Sequence, residues 1–318
     1  MPDQANSAKE KGLFGNLNNP SNILPAKYTL DSKLQFRCHP GVSCFTQCCR
    51  NIKIVLSPYD ILRLRKRLDM SAPEFLHTHT QPIYLEKTDL PGVCFKLDEE
   101  TGCCPFLKSD TEGCRVYEDR PTACRYFPVG MANFHEGAQE EQKAEAFYFI
   151  VKEPHCKGFE EEKSWTIREW RADQGVDERD AMNKGWMEIV MRRKSFGIQA
   201  TLSEPAKRMF FMATTDLDQF RSFVFESSFL KTYTVDEAIL AKIKEDDVEL
   251  MHFAFDYLAS SMFGTQYIRI KEEVLKAKVD AIRKEQEEQG KTLEARAEKE
   301  YLELVAEHEK LKAAAGGK

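Results

Sequence analysis

The chain has 318 residues, 42% hydrophobic and 31% charged, which supports a packed core under a heavily charged surface. Its 46 basic and 52 acidic residues leave a net charge of −6, which argues against broad nucleic-acid binding, because that needs a basic face to displace counterions. No apolar run approaches the roughly 20 residues needed to cross a bilayer, so neither nucleic acid nor membrane is expected as a partner.

In chain order, the opening stretch MPDQANSAKEKGLFGNLNNPSNILP lacks an apolar h-region. It reads as a disordered polar tail over residues 1–30, with a cytoplasmic address and a reducing environment. A cysteine-rich module is expected over 31–160. Within it, Ser57, Pro58 and Asp60 supply a capping box and a first-turn proline for a helix whose apolar spacing is Ile61, Leu62, Leu64 and Leu68. Ser71 and Glu74 box a second, shorter helix ending at His77 and His79. The stretch from Val93 to Leu107 reads as a hairpin turning at DEETG, and Ala144 to Glu153 as a strand rich in aromatic and β-branched residues.

Helices are expected after Cys156, in a helical domain over 161–265. Thr166 and Glu169 box the first, VDERDAMNKGWMEIVMRRK continues the helical period, Ser203 and Thr234 cap two more, and VELMHFAFDYLASSMF reads as a central helix. A charged helical extension over 266–318 carries a thin apolar stripe of Ile268, Leu275, Val279 and Ile282, broken at Gly290. The whole predicts an α+β protein: a small, loop-rich cysteine module of short strands and helices, then a mainly helical region suited to contact with a protein partner.

All ten cysteines lie between Cys38 and Cys156. Thiols serving only as small core hydrophobes would be scattered, and a clustered set in a reducing compartment points to metal binding or redox chemistry. One group is CHPGVSCFTQCCR, from Cys38 to Arg50, and another is CCPFL with CRVYEDRPTACRYFP, from Cys103 to Pro128. Thiolates are soft donors that select zinc, copper(I) or iron–sulfur centres. In the vicinal pair Cys48–Cys49, extended backbone would point the two side chains to opposite faces. Either one is a spare, or the pair serves two centres, or it spans a cluster of more than one metal. A buried thiolate centre carries negative charge, and Arg115, Arg120 and Arg125 are placed to offset it from a second layer around the sulfurs.

The run Cys-x-x-Tyr-x-x-Arg-Pro-x-x-Cys-Arg-x-Phe-Pro, preceded by CPFL and by an upstream group ending in Cys-Cys, resembles the CxxCxxCC family of YkgJ-like zinc- or iron-chelating domains. The resemblance covers residues 36 to 160. It implies a module holding zinc or iron, as single ions or an iron–sulfur cluster, through Cys38, Cys44, Cys48, Cys49, Cys104, Cys114, Cys124 and Cys156. Cys94 and Cys103 have no counterpart in the family pattern. Five residues separate Cys38 from Cys44 and three separate Cys44 from Cys48, wider than the family name implies. One branch of the family resembles a protein lysine methylase, and a structural zinc module is a further alternative. A radical S-adenosylmethionine spacing, a nucleotide-binding glycine loop and Cys-x-x-Cys are all missing from the sequence.

Overall fold

The first two helices begin where the sequence supplies caps. The computed structural model describes residues 23–24, 26–133, 146–197, 201–289 and 291–292. After strand β1 (Lys33–Gln35) and a 3-10 turn at Gln47–Cys49, helix α1 (Pro58–Leu68) starts at Ser57. The Ser57 hydroxyl accepts from the Asp60 amide at 3.2 Å, and the Asp60 carboxylate accepts from the Ser57 amide at 3.1 Å. This reciprocal pair satisfies two donors that a helix start otherwise leaves open. Ser71 and Glu74 box α2 (Ala72–His79) in the same way.

Strand β2 (Thr80–Leu85) then pairs antiparallel with β3 (Leu90–Phe95), in register from Thr80 opposite Phe95 to Leu85 opposite Leu90. This corrects the expected hairpin over Val93–Leu107: Val93 to Phe95 pair backward along the chain. The turn between β2 and β3 contains no glycine. Lys87 and Asp89 adopt positive φ, and the Thr88 hydroxyl closes the turn by donating to Leu85 O at 2.8 Å and accepting from Leu90 N at 3.1 Å. DEETG is a turn, closed by Thr101 N on the Asp98 carboxylate at 2.8 Å, and it leads into Cys103 and Cys104. The next elements are β4 (Leu107–Ser109), β5 (Gly113–Cys114), α3 (Thr122–Tyr126), β6 (Val129–Asn133), β7 (Ala146–Ile150) and β8 (Ser164–Thr166). The expected strand in Ala144–Glu153 is β7.

Thr166 and Glu169 box α4 (Ile167–Gln174) as expected, and α5 (Val176–Ser195) follows at Gly175. Ser203 caps α6 (Glu204–Thr215), which is followed by α7 (Leu217–Glu226), α8 (Phe229–Thr232), β9 (Tyr233–Thr234), α9 (Glu237–Glu245), α10 (Asp247–Phe263) and β10 (Arg269–Ile270). Thr234 is not a cap. Its backbone is committed to a pair with Arg269, and α9 starts three residues later. The strands described form five separate two-stranded antiparallel pairs, β1–β8, β2–β3, β4–β5, β6–β7 and β9–β10, and helices carry the C-terminal half, an α+β fold.

The chain divides into two compact units, Met1–Phe223 with Glu237–Tyr267, and Val224–Asp236 with Ile268–Lys318. The first holds all ten cysteines and two clusters of buried side chains that frame them. One cluster contains Leu64, Phe75, Val93, Phe95, Phe106 and Val116, and the other Leu34, Phe36, Tyr148, Ile150, Ile167 and Trp170. Helix α10 is central within this unit, with Leu250, Met251, Ala254 and Leu258 buried against α5, α6 and α9. The second unit contains the β9–β10 pair and a helix over 272–289 on which Leu275, Val279 and Ile282 are exposed while Ile268 before it is buried. The expected break at Gly290, the segment beyond 292 and the tail over 1–22 lie outside the described residues. No described helix is long and apolar enough to cross a membrane.

Asp247, in the first turn of α10, joins that helix to α1 and α7. It pairs with Lys66 at 2.9 Å, with Arg65 at 3.5 Å and with Arg221. Burial pushes its carboxyl pKa up, but hydrogen bonds from Arg221 and Lys66 more than reverse this, so its net shift is downward. A carboxyl depressed in the folded state contributes stability that is complete above its unfolded pKa and lost as pH falls through the folded one. Asp247→Asn is therefore expected to destabilise at neutral pH, and the difference from wild type should shrink as pH drops below about 4. Urea denaturation of both proteins across pH measures it, and a pH-independent difference would refute the assignment.

Candidate metal centre

Two backbone closures bring the cysteine segments together. In the first, Arg37 N donates to Gly158 O at 3.0 Å, continuing the β1–β8 pair, and Lys157 N donates to Cys44 Sγ at 3.0 Å. His39 Nε2 meets Glu161 at 3.0 Å across the same seam. Cys38 and Cys44 are thereby fixed beside Cys156. In the second closure, Cys104 N donates to Cys49 O at 2.8 Å, Asn51 N donates to Gly102 O at 2.9 Å, and Arg50 forms an antiparallel bridge with Cys103. Each closure has a glycine where no side chain fits. A Cβ on Gly158 would lie 2.6 Å from the Phe36 ring and 2.9 Å from Arg37 O. Gly102 has φ +65°, and a Cβ there would collide with the Asn51 carboxamide.

The remaining cysteines join the second closure. Leu107 N donates to Cys104 O at 3.0 Å and Arg115 N to Phe106 O at 2.9 Å, so the short β4–β5 ribbon lays Cys114 next to Cys104. Cys124 sits on α3, whose first turn is held by Asp60: the carboxylate accepts from Thr122 N at 2.9 Å and Thr122 Oγ1 at 2.8 Å. The same buried carboxylate thus closes the capping box of α1 and orients the helix that carries Cys124. Sequence reasoning saw only the first role.

All ten cysteines are free thiols. Burial first, and then charge on Cys48, Cys44 and Cys156, raise Cys38 to about 12. Burial raises Cys156 to about 11, opposed by the Gly158 amide and reinforced by Cys44 and Cys48. Burial, opposed by the Phe106 amide and reinforced by Cys114 and Cys103, leaves Cys104 raised to about 11. Cys124 is raised by burial and then by Cys104, Asp60 and Cys114, while Cys114 is raised by burial against the pull of the Val116 amide, Arg120 and Arg115. The vicinal pair differs. The Cys49 thiol hydrogen-bonds to Cys48, which lowers Cys48 to about 7 and raises Cys49.

The other candidates fall outside this constellation. Cys94 is buried in β3, 1% exposed, with its Sγ contacted by Gln81 Nε2 at 3.5 Å. Cys103 Sγ accepts from Arg50, which also pairs with Asp110. Among the described residues, Arg50 is the guanidinium that donates to a sulfur. It directly follows Cys-Cys in the sequence, and that adjacency was the available signal. Arg120 donates to Tyr117 O at 2.7 Å and to the Gln174 carboxamide. Arg125 donates to Arg120 O at 3.1 Å, to Gln174 O at 2.7 Å and to Glu118 O. Arg115 lies 5.2 Å over the Phe106 ring. The hydrogen bonds of Arg120 and Arg125 shape the backbone around Cys114 and Cys124, and the charge of Arg120 and Arg115 reaches Cys114 through space.

Residues 37–157 match the family model CxxCxxCC, described as a putative zinc- or iron-chelating domain. Over this segment the chain is similar to the CxxCxxCC family. The bounds of the domain fall on Arg37 and Lys157, the two ends of the first closure. No curated protein and no solved structure matches the chain. Among the described residues no three His, Cys, Asp or Glu side chains converge into a ready-made cage. The fit to zinc or iron rests instead on donor chemistry: free thiols are gathered along the two closures, and soft sulfur donors select these metals.

Asp60→Ala would remove the shared acceptor of Thr122 and Ser57 and leave buried donors unpaired, at a cost of about 3 kcal/mol. Asp60→Asn, which keeps one carbonyl acceptor, should cost less. Urea denaturation ranks the variants, and equal, near-zero losses would contradict this role.

Proposed function

We propose that this protein holds zinc or iron through the cysteine cluster of its CxxCxxCC domain. The observation that carries the reading is the double closure, which draws Cys38, Cys44, Cys48, Cys49, Cys104, Cys114, Cys124 and Cys156 from distant segments into one region as free thiols. Such crowding has little structural benefit without a cation, because each sulfur that ionises raises the cost of ionising the next. A bound ion reverses that term. It takes the place of thiol protons, so affinity rises with pH, and it contributes folding energy to a region built from short strands and turns.

Metal analysis of reduced, anaerobically purified protein should find zinc or iron. A colourless sample points to zinc, and brown charge-transfer absorption to an iron–sulfur centre. Chelation should expose residues 37–157 to limited proteolysis while leaving the α10 region protected. Among single variants, Cys124→Ser should lose metal, whereas Cys94→Ser should keep it, since Cys94 is a core residue of β3. Equal loss from both, or full protection of the chelated protein, would overturn the reading.

A further inference from the structure

The helix over 272–289 carries apolar side chains that lie open to solvent. Leu275, Val279 and Ile282 recur at four- and three-residue spacing, which sets them on one face, and they are 49%, 42% and 54% exposed. Over that span the face is bordered by Lys276, Lys278 and Arg283, positions from which charge selects a helical partner. A surface helix draws most of its stability from packing such a face and not from propensity alone. The sequence beyond Thr292 supplies a matching pattern. Residues 293–318 lie outside the described residues, but Ala297, Tyr301, Leu304 and Leu311 repeat at helical spacing, and Glu298, Glu300 and Glu307 border that stripe. One stripe is edged by bases and the other by acids.

Within one chain the two stripes are out of step. The Thr292 hydroxyl donates to Glu288 O at 2.8 Å, an i to i−4 contact, so these residues stand one helical turn apart and the chain has not reversed by Thr292. A tight reversal straight after Thr292 would bring Leu275 opposite Ala314 and Ile282 opposite Glu307, leaving Tyr301 and Leu304 beside Glu288 and Glu285. We propose that the exposed face is covered by a second copy of this chain, lying antiparallel. With the twofold axis between Lys291 and Thr292, Val279 falls opposite Leu304 of the second copy and Ile282 opposite Tyr301 of the second copy. Lys278 and Arg283 then face Glu307 and Glu298 of the second copy, and the axis repeats each contact. Two attractive contacts per chain outweigh the like-charge one, Glu285 against Glu300. Parallel pairing would instead set Lys278 of one copy against Arg283 of the other, so charge selects the antiparallel arrangement.

Sedimentation equilibrium of the full-length, reduced protein tests this. The wild type should weigh twice the 36.7 kDa of one chain. Lys278→Glu/Arg283→Glu and Glu298→Lys/Glu307→Lys should each raise the dissociation constant about tenfold or more, because each turns attraction into repulsion at contacts that the axis doubles. An equimolar mixture of these two variants should recover the wild-type dimer, since each then presents to the other the opposite charge on both stripes, and that recovery also shows that both variants fold. Val279→Ala/Ile282→Ala, which keeps helix propensity, should weaken the dimer by a similar factor. A monomeric wild type would overturn the proposal. So would a dimer that tolerates both charge reversals, one that tolerates the alanine pair, or a mixture of folded variants that stays monomeric.

Discussion

The arrangement depends on a few backbone hydrogen bonds between segments far apart in the chain. Cys104 N on Cys49 O and Arg37 N on Gly158 O each seal a junction between non-adjacent segments. Neither junction is part of a large sheet. Both rely on glycine carrying no side chain, at Gly102 and Gly158, so that two main chains can approach. Backbone groups that would otherwise need water are satisfied across the junctions, and sulfurs brought along with them are held in a partly desolvated setting. The raised thiol pKa values follow from that setting. They make the uncharged cluster tolerable and leave it receptive to a cation.

Around this centre, the protein uses charge to position the main chain. Asp60 holds both the start of α1 and the start of α3, while Arg120 and Arg125 bind carbonyls of residues 117–120 and Gln174. Arg125 has its pKa pushed down by burial, Arg179 and Arg120, and the buried carboxylates Asp119 and Asp60 oppose them. Its neighbour Arg179 has a buried Nη1 with no hydrogen-bond partner among the described residues. Behind α3, Arg120, Arg125 and Arg179 are thus interleaved with the buried carboxylates Asp60 and Asp119. Arg120 and Arg115 reach Cys114 through space and not by direct donation to sulfur.

Much of this was legible in the sequence. The boxes at Ser57, Ser71 and Thr166 start helices as read, since capping is local chemistry encoded within four residues. The cysteine-bearing segment was visible from composition, and the family match covers it. The β2–β3 hairpin was missed because its turn, Lys87–Asp89, is closed by the Thr88 hydroxyl and lacks the glycine signal that DEETG carries. The hold of Asp60 on Thr122 spans 62 residues, and that of Arg125 on Gln174 spans 49. Pairings of that range leave no periodic trace in a single sequence. The same holds for the two closures, which join segments far apart in the chain.

Because the first closure joins the two ends of the domain, synthesis and assembly run out of step. A ribosome adds on the order of 5–20 residues per second. Cys104 and its acceptor on Cys49 have both been translated before Lys157 and Gly158, although Arg37 and Cys44 were translated first. For those seconds Arg37 and Cys44 lack the edge that later closes on them. The oldest cysteines of the nascent chain are the last to be enclosed, so their protection from oxidation falls to the cell during that interval.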